Sequence, residues 1–149
     1  MASGITGDLV GLGQLARNLR KLSEVPAQAS REAAEGIARA IDQEFSEGVD
    51  AYGNPWAELA ESTLDKGRAP PPLTDTERHG PGMGVRVSAQ RGAGIAITFD
   101  APYAGYHQTG TKHMPARQPL PTGVMPATWN EAIRSALESR LEKLGEGVP

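Results

Sequence analysis

Nine glycines and prolines fall between Gly48 and Gly84 (Gly53, Pro55, Gly67, Pro70, Pro71, Pro72, Gly80, Pro81 and Gly82), and a stretch so interrupted cannot hold a long helix or a central strand. A connection of that length is abnormal in a compact domain and is either functional or ordered by what it packs against. A second interruption runs from Thr109 to Pro126 and carries Pro115, Pro119 and Pro121. Regular structure must come from the three stretches that remain.

The first is helical. Leu9, Leu12, Leu15 or Ala16, Leu19 and Leu22 recur at helical spacing and predict an amphipathic N-terminal arm over residues 1–22, frayed by Gly7, Gly11 and Gly13. Ser23 is a candidate N-cap and Pro26 suits an early helical position. Ala29, Ala33 or Ala34, Ile37, Ile41 and Phe45 then trace one stripe, predicting a second helix from about Pro26 to Glu47 with Gly48 as its cap. Inside the long interruption, Trp56, Leu59 and Leu64 suggest one or two helical turns.

The second stretch is a hairpin. Val85, Val87 and Ala89 alternate with Arg86, Ser88 and Gln90, and after Arg91-Gly92-Ala93-Gly94 the residues Ile95, Ile97 and Phe99 alternate with Ala96, Thr98 and Asp100. A lone hairpin is marginal in water, so a third strand is expected at Tyr103–Gln108. The third stretch predicts a helix from about Ala127 to Leu144, capped by Thr128, striped by Trp129, Ile133, Ala136 or Leu137, Leu141 and Leu144, and stopped by Gly145. Residues 145–149 are expected to be a disordered tail. The fold expected is α+β: one domain over 1–149, with a small antiparallel sheet packed by a long N-terminal helix and a C-terminal helix, and long Pro/Gly-rich loops.

Composition narrows the function. Aromatics are 5% of the residues, too few for a base-stacking platform, and a net charge of −3 lacks the basic footprint of a broad grip on DNA phosphates. With no cysteine in the sequence, disulfides, thiolate metal sites and a Cys nucleophile are excluded. No stretch approaches the ~18 apolar residues of a membrane span, and the expectation is a soluble chain made in the cytoplasm, with no membrane partner.

Residues for chemistry are sparse. His79, His107 and His113 could supply three zinc ligands, but their spacing is not that of a helical metal pair, and no acid lies near His107 or His113 in sequence to orient either ring. No nucleophile elbow or Ser-x-x-Lys motif is present. Paired carboxylates such as Asp42 with Glu44 read as solvated helix faces. No cofactor is expected. From Ala101 through Asn130 the only formal charges are Lys112 and Arg117, a locally basic strip in an acidic chain. Arg117, held between prolines, suits bidentate contact with a carboxylate or phosphate, or an intrachain ion pair with Asp50, Asp75 or Asp100.

Two constellations stand out: Gly53, Pro55, Trp56, Leu59, Thr63, Lys66 with Leu73 and Thr76, and, beyond the hairpin, Tyr103, Ala104, Tyr106, His107, Gln108, Gly110 with Pro115, Ala116, Arg117 and Pro119. In this order they resemble the phage virion morphogenesis family, the tail-completion or head-tail joining proteins of Mu-like tailed phages, over roughly Ile37 to Leu120. The sequence departs from that pattern at Glu77 (glycine in the family), at His79 (leucine) and at Gln118-Pro119-Leu120, where an aromatic often follows.

The resemblance implies a non-enzymatic structural subunit of the virion neck, assembled in the host cytoplasm into a ring, hexameric in the family. Its neighbours would be head connector or adaptor proteins and tail terminator or tail tube proteins, with DNA passing through the lumen without specific binding. Trp56, Tyr103, His107 and Arg117 are the expected subunit-interface residues, because aromatics and arginine dominate interface energetics. Two alternatives from other classes are a metal-dependent hydrolase using His79, His107 and His113, and a nucleic-acid-binding module working through Lys112 and Arg117.

Overall fold

A computed structural model describes residues 9–68, 70–73, 81–92 and 94–146, with the backbone alone for 9–23, 81 and 82. In chain order it comprises α1 (Leu9–Glu47), α2 (Glu61–Leu64), β1 (Val85–Ala89), β2 (Ile95–Phe99), α3 (Ala104–Thr109) and α4 (Ala127–Glu146), with a 3₁₀ turn at Pro81–Gly84 leading into β1. The architecture is α+β: α1 and α4 pack on each other, and a two-stranded antiparallel sheet lies against them. The expected arm at 1–8, Asp75, Thr76, Glu77, His79 and the tail at 147–149 lie outside the described residues.

The arm and the second helix are one element. Pro26 sits inside α1, so the chain does not restart at Ser23. A mid-helix proline removes one backbone bond and crowds the preceding turn, at about 3 kcal/mol. Burial on both sides of it favours continuity: Val25 is 6% exposed and Ala29 3%, and both face α4. The hydroxyl of Ser30 donates to the Pro26 carbonyl at 2.8 Å, one turn on.

The C-terminal end of α1 is as the sequence suggests. Gly48 takes φ +68°, its N–H reaches the Phe45 carbonyl at 3.3 Å, and the Val49 N–H reaches the Glu44 carbonyl at 3.0 Å, the paired bonds of a Schellman cap. A side chain here would meet a second obstacle, since a Cβ on Gly48 would stand 2.8 Å from the Pro71 Cβ.

The hairpin pairs Val85 with Phe99, Val87 with Ile97 and Ala89 with Ile95. Val85, Val87, Ile95, Ile97 and Phe99 pack on a core of Ile37, Ile41, Phe45, Ala51, Trp56, Met83, Ala101 and Trp129, while Arg86, Ser88 and Thr98 face solvent. Arg86 and Asp100 form an ion pair across its open end. The expected third strand is absent: Tyr103 is followed by the helix α3, and the sheet of the described residues has two strands. Contact with α1 supplies the burial that a third strand would have given.

On α4 the helix starts at Ala127, with the Asn130 N–H on the Pro126 carbonyl at 2.9 Å, so Thr128 lies inside the first turn rather than at the cap. Gly145 does not stop the helix, which continues to Glu146. Trp129 and Ala136 are buried, whereas Leu137 and Leu141, read as part of the buried stripe, are 38% and 48% exposed. Glu32 of α1 receives Arg140 and, at 3.5 Å, Lys143.

The two long helices approach closely at Gly36, where an added Cβ would lie 2.8 Å from the Ala132 Cβ. A methyl group cannot swing aside there. Gly36→Ala should therefore lower stability by about 1 kcal/mol, a helix-propensity gain near 1 kcal/mol being outweighed by about 1–3 kcal/mol of overpacking. Adding Ala132→Gly should return most of that loss in urea denaturation. A stabilised single variant would contradict the close approach.

Trp129 leads to a residue the sequence reading misplaced. Its indole Nε1 donates to Glu44 Oε1 at 2.9 Å, and Glu44 is buried rather than solvated. Glu44 lies three residues after Ile41 and seven after Ile37, a position on the buried stripe that helical spacing alone could have flagged. Burial, and secondarily the charge of Asp50, push its carboxyl above the usual range of about 4.5, against the opposing Trp129 bond.

The native state therefore holds this proton more tightly than the unfolded chain, so stability falls as pH rises through the window above 4.5. Glu44→Gln keeps an acceptor for Trp129 and removes the ionisation. Its stability relative to the parent should grow from acidic to neutral pH; a pH-independent difference in denaturation midpoints would refute the assignment.

Candidate functional site

The two sequence constellations, which lie on either side of the hairpin, form one interlocked structure beyond the C-terminal end of α1. It begins with Asp50. One carboxylate oxygen accepts the N–H groups of Tyr52 and Asn54, both at 2.9 Å, and the other accepts the Asn54 side-chain amide at 3.1 Å. Aspartate favours this arrangement because its short side chain reaches backbone donors two residues on. Gly53, at φ +84°, completes the turn.

The chain then doubles back. The Trp56 N–H bonds the Gly48 carbonyl at 2.9 Å, and the Trp56 ring stands edge-on to Phe45, with centroids 5.0 Å apart at 70°. Trp56 is 7% exposed, and its Nε1 donates to the Gln118 carbonyl at 3.2 Å, in the second constellation.

That constellation starts at α3. Tyr103 and His107 share a face, one turn apart, with ring centroids 5.8 Å apart at 77°. The predicted strand would also have put them on one side, but the helix moves Tyr106 out to 61% exposure and turns Gln108 inward. Gln108 grips Leu120 with both ends of its amide, donating to the carbonyl and accepting from the N–H, each at 3.0 Å. Between them the chain reverses at Gly110 (φ +74°), where a Cβ would come within 2.9 Å of the Ala116 nitrogen.

Arg117 ties the halves together. Its backbone N–H bonds the His107 carbonyl at 2.8 Å, and its guanidinium donates to the carbonyls of Ala57 at 2.6 Å and Glu58 at 2.5 Å. The fork grips two successive backbone oxygens rather than a carboxylate, and at 7% exposure Arg117 presents no cation to a ligand. Burial lowers its proton affinity. Burial, then the charge of Arg117, also lowers that of His107 from the usual 6.5, which favours the neutral ring, and the His107 Nδ1 is buried with no hydrogen-bond partner.

Trp56, Tyr103, His107 and Arg117 are thus brought into one substructure, with Trp56 and Arg117 at its interior and Tyr103 and His107 half-buried. Sequence reading missed Asp50 and Tyr52 as organisers. The Tyr52 hydroxyl accepts the Gly123 N–H and donates to the Val124 carbonyl, both at 2.9 Å, pinning the loop before α4. The Asp-x-x-Gly-Asn-Pro run was the available signal for the first of these; nothing local announced the second.

The basic strip is smaller than its sequence suggests. Lys112 and His113 are exposed on the Thr111–Met114 turn, but Arg117 is not. Among the described residues no group of three His, Cys, Asp or Glu is placed to hold a metal ion, and His79 lies outside them. The interlocked loops do hold out large apolar side chains: Tyr106, Val124 at 81% exposure, Met125 at 54%, and Leu64 at 44%. Compared with known proteins, the chain matches no family model, no curated protein and no solved structure.

Proposed function

We propose that the chain is a structural subunit of a tailed-phage neck, belonging with the phage virion morphogenesis proteins and acting in tail completion or head-tail joining by assembling with copies of itself into a ring, six in the family. The observation that carries this reading is the interlock itself. The motif residues on either side of the hairpin meet through Arg117 on Ala57 and Glu58 and Trp56 on Gln118, so the ordered combination that carries the resemblance has a common structural reason.

The frame built this way supports assembly rather than chemistry. Its polar side chains are spent on holding loops, while Tyr106, Val124 and Met125 are held outward by a fixed scaffold. In this reading they are contact residues for a neighbouring subunit. Trp56 and Arg117 act in this scheme from inside the subunit by shaping the contact face, and Tyr103 and His107 lie nearer its edge. Neighbours would be the head connector or adaptor on one side and the tail terminator or tube on the other, with DNA passing through the lumen without specific binding.

The test is genetic and structural. A phage unable to make this chain should accumulate filled heads and separate tails, and antibody against the chain should label the head-tail junction of complete particles in electron micrographs. Normal particle yield without it, or its absence from purified virions, would overturn the proposal.

A further inference from the structure

We infer that the exposed leucines of α4, Leu137 and Leu141, are the docking site for the N-terminal stretch of α1, residues 9–22, from a second copy of the chain. This inference rests on the self-assembly reading above and specifies the contact.

Four observations carry it. Leu137 and Leu141 are 38% and 48% exposed and extend, at i, i+4 and i+8, the line begun by the partly buried Ile133, which makes an apolar track about 12 Å long. Residues 9–22 are helical, and their sequence repeats leucine at 9, 12, 15, 19 and 22, a spacing suited to lie along such a track.

The chain's own arm cannot reach the track. Val25 already stands beside Arg140, Lys143 and Leu144, near the end of α4 at Glu146. From Val25 the same continuous helix leads away along its axis, so that Leu15 is ~15 Å farther on at 1.5 Å per residue. A bend at Pro26 would not reverse its direction.

Charge selects the same partner. Residues 9–22 carry Arg17, Arg20 and Lys21 with no acid, a net +3; the whole chain totals −3, so the rest of it carries −6. Glu138 and Glu142 are exposed next in sequence to the two leucines; of the cations nearby, Arg140 and Lys143 are drawn to Glu32, and Arg134 stands 4.0 Å from Glu138. A basic amphipathic arm and an acid-edged apolar track on the same chain make a head-to-tail contact, which closes into a ring when the rotation allows and in which each copy gives one arm and receives one.

The sequence lacks cysteine, so introduced thiols report this contact cleanly. Full-length Leu19→Cys protein mixed with full-length Leu141→Cys protein under mild oxidation should give mainly the mixed disulfide dimer. In sedimentation, Leu15→Glu/Leu19→Glu and Leu137→Glu/Leu141→Glu proteins should each self-associate about 30-fold more weakly or worse, while mixing the two restores pairing that stops at dimers. The restored pairing also shows that both variants fold.

Leu141→Cys homodimers as the main product would mean a two-fold contact between α4 helices and overturn the inference. Parent protein that associates with neither pair of substitutions mattering would overturn it while leaving ring assembly standing. Parent protein that stays monomeric at every concentration would overturn the inference too, and the neck reading would then stand or fall on the particle test above.

Discussion

Trp56→Ala is expected to lower the unfolding free energy by about 3–5 kcal/mol, a large fraction of the 5–15 kcal/mol that holds a typical domain together. Trp56 is 7% exposed, and its removal empties the space between Phe45 and the loop carrying Gln118. Trp56→Phe separates packing from polarity: it keeps an aromatic edge against Phe45 but leaves the Gln118 carbonyl without its donor, at about 1–2 kcal/mol. Denaturant titration of both variants checks the order and the gap between them. For assembly, the alanine variant should lose association in proportion to its loss of folded protein. Full stability with lost association would place the Trp56 ring at the subunit surface and contradict its burial.

How much of this was legible in the chain depended on whether one period could be told from another. In the hairpin, two runs alternate with polar neighbours on both sides of a glycine turn, which marks the two strands and their inward face; the register, Val87 opposite Ile97, came from the structure. The end of α1 was equally plain, because Gly48 supplies the positive φ that the cap requires. Tyr103–Gln108 was not: six residues are too few to separate a period of two from one of 3.6, and Tyr103 and His107 share a face under either.

Pro26 misled for a different reason. Its local cost is real, but burial of Val25 and Ala29 is a tertiary effect that a helix-start rule does not contain. Of the candidate site, Trp56, Tyr103, His107 and Arg117 were legible, but neither their partners nor the organising roles of Asp50 and Tyr52. That Arg117 would grip the carbonyls of Ala57 and Glu58 could not be anticipated, since backbone oxygens are present at every position and carry no identity.

Those partners set the expected result for Arg117. Arg117→Met keeps much of the buried stem and removes the fork, leaving two carbonyls without their donors; with hydrogen bonds to charged groups contributing about 1.5–3 kcal/mol each, the loss should be about 3–5 kcal/mol. Arg117→Lys restores the charge as a single point that cannot span both oxygens, so its loss should be intermediate. The ordering distinguishes two roles. If Arg117 served mainly to bind an external carboxylate or phosphate, both variants would keep their denaturation midpoints and lose only that ligand. Because Gln118 follows Arg117 directly, the fork and the indole hold the same loop to the same segment. Combining Arg117→Met with Trp56→Phe should therefore cost less than the two losses together, by about 0.5–3 kcal/mol, since the first substitution already releases what the second would free. Strict additivity would mean that the two contacts hold independent parts of the loop.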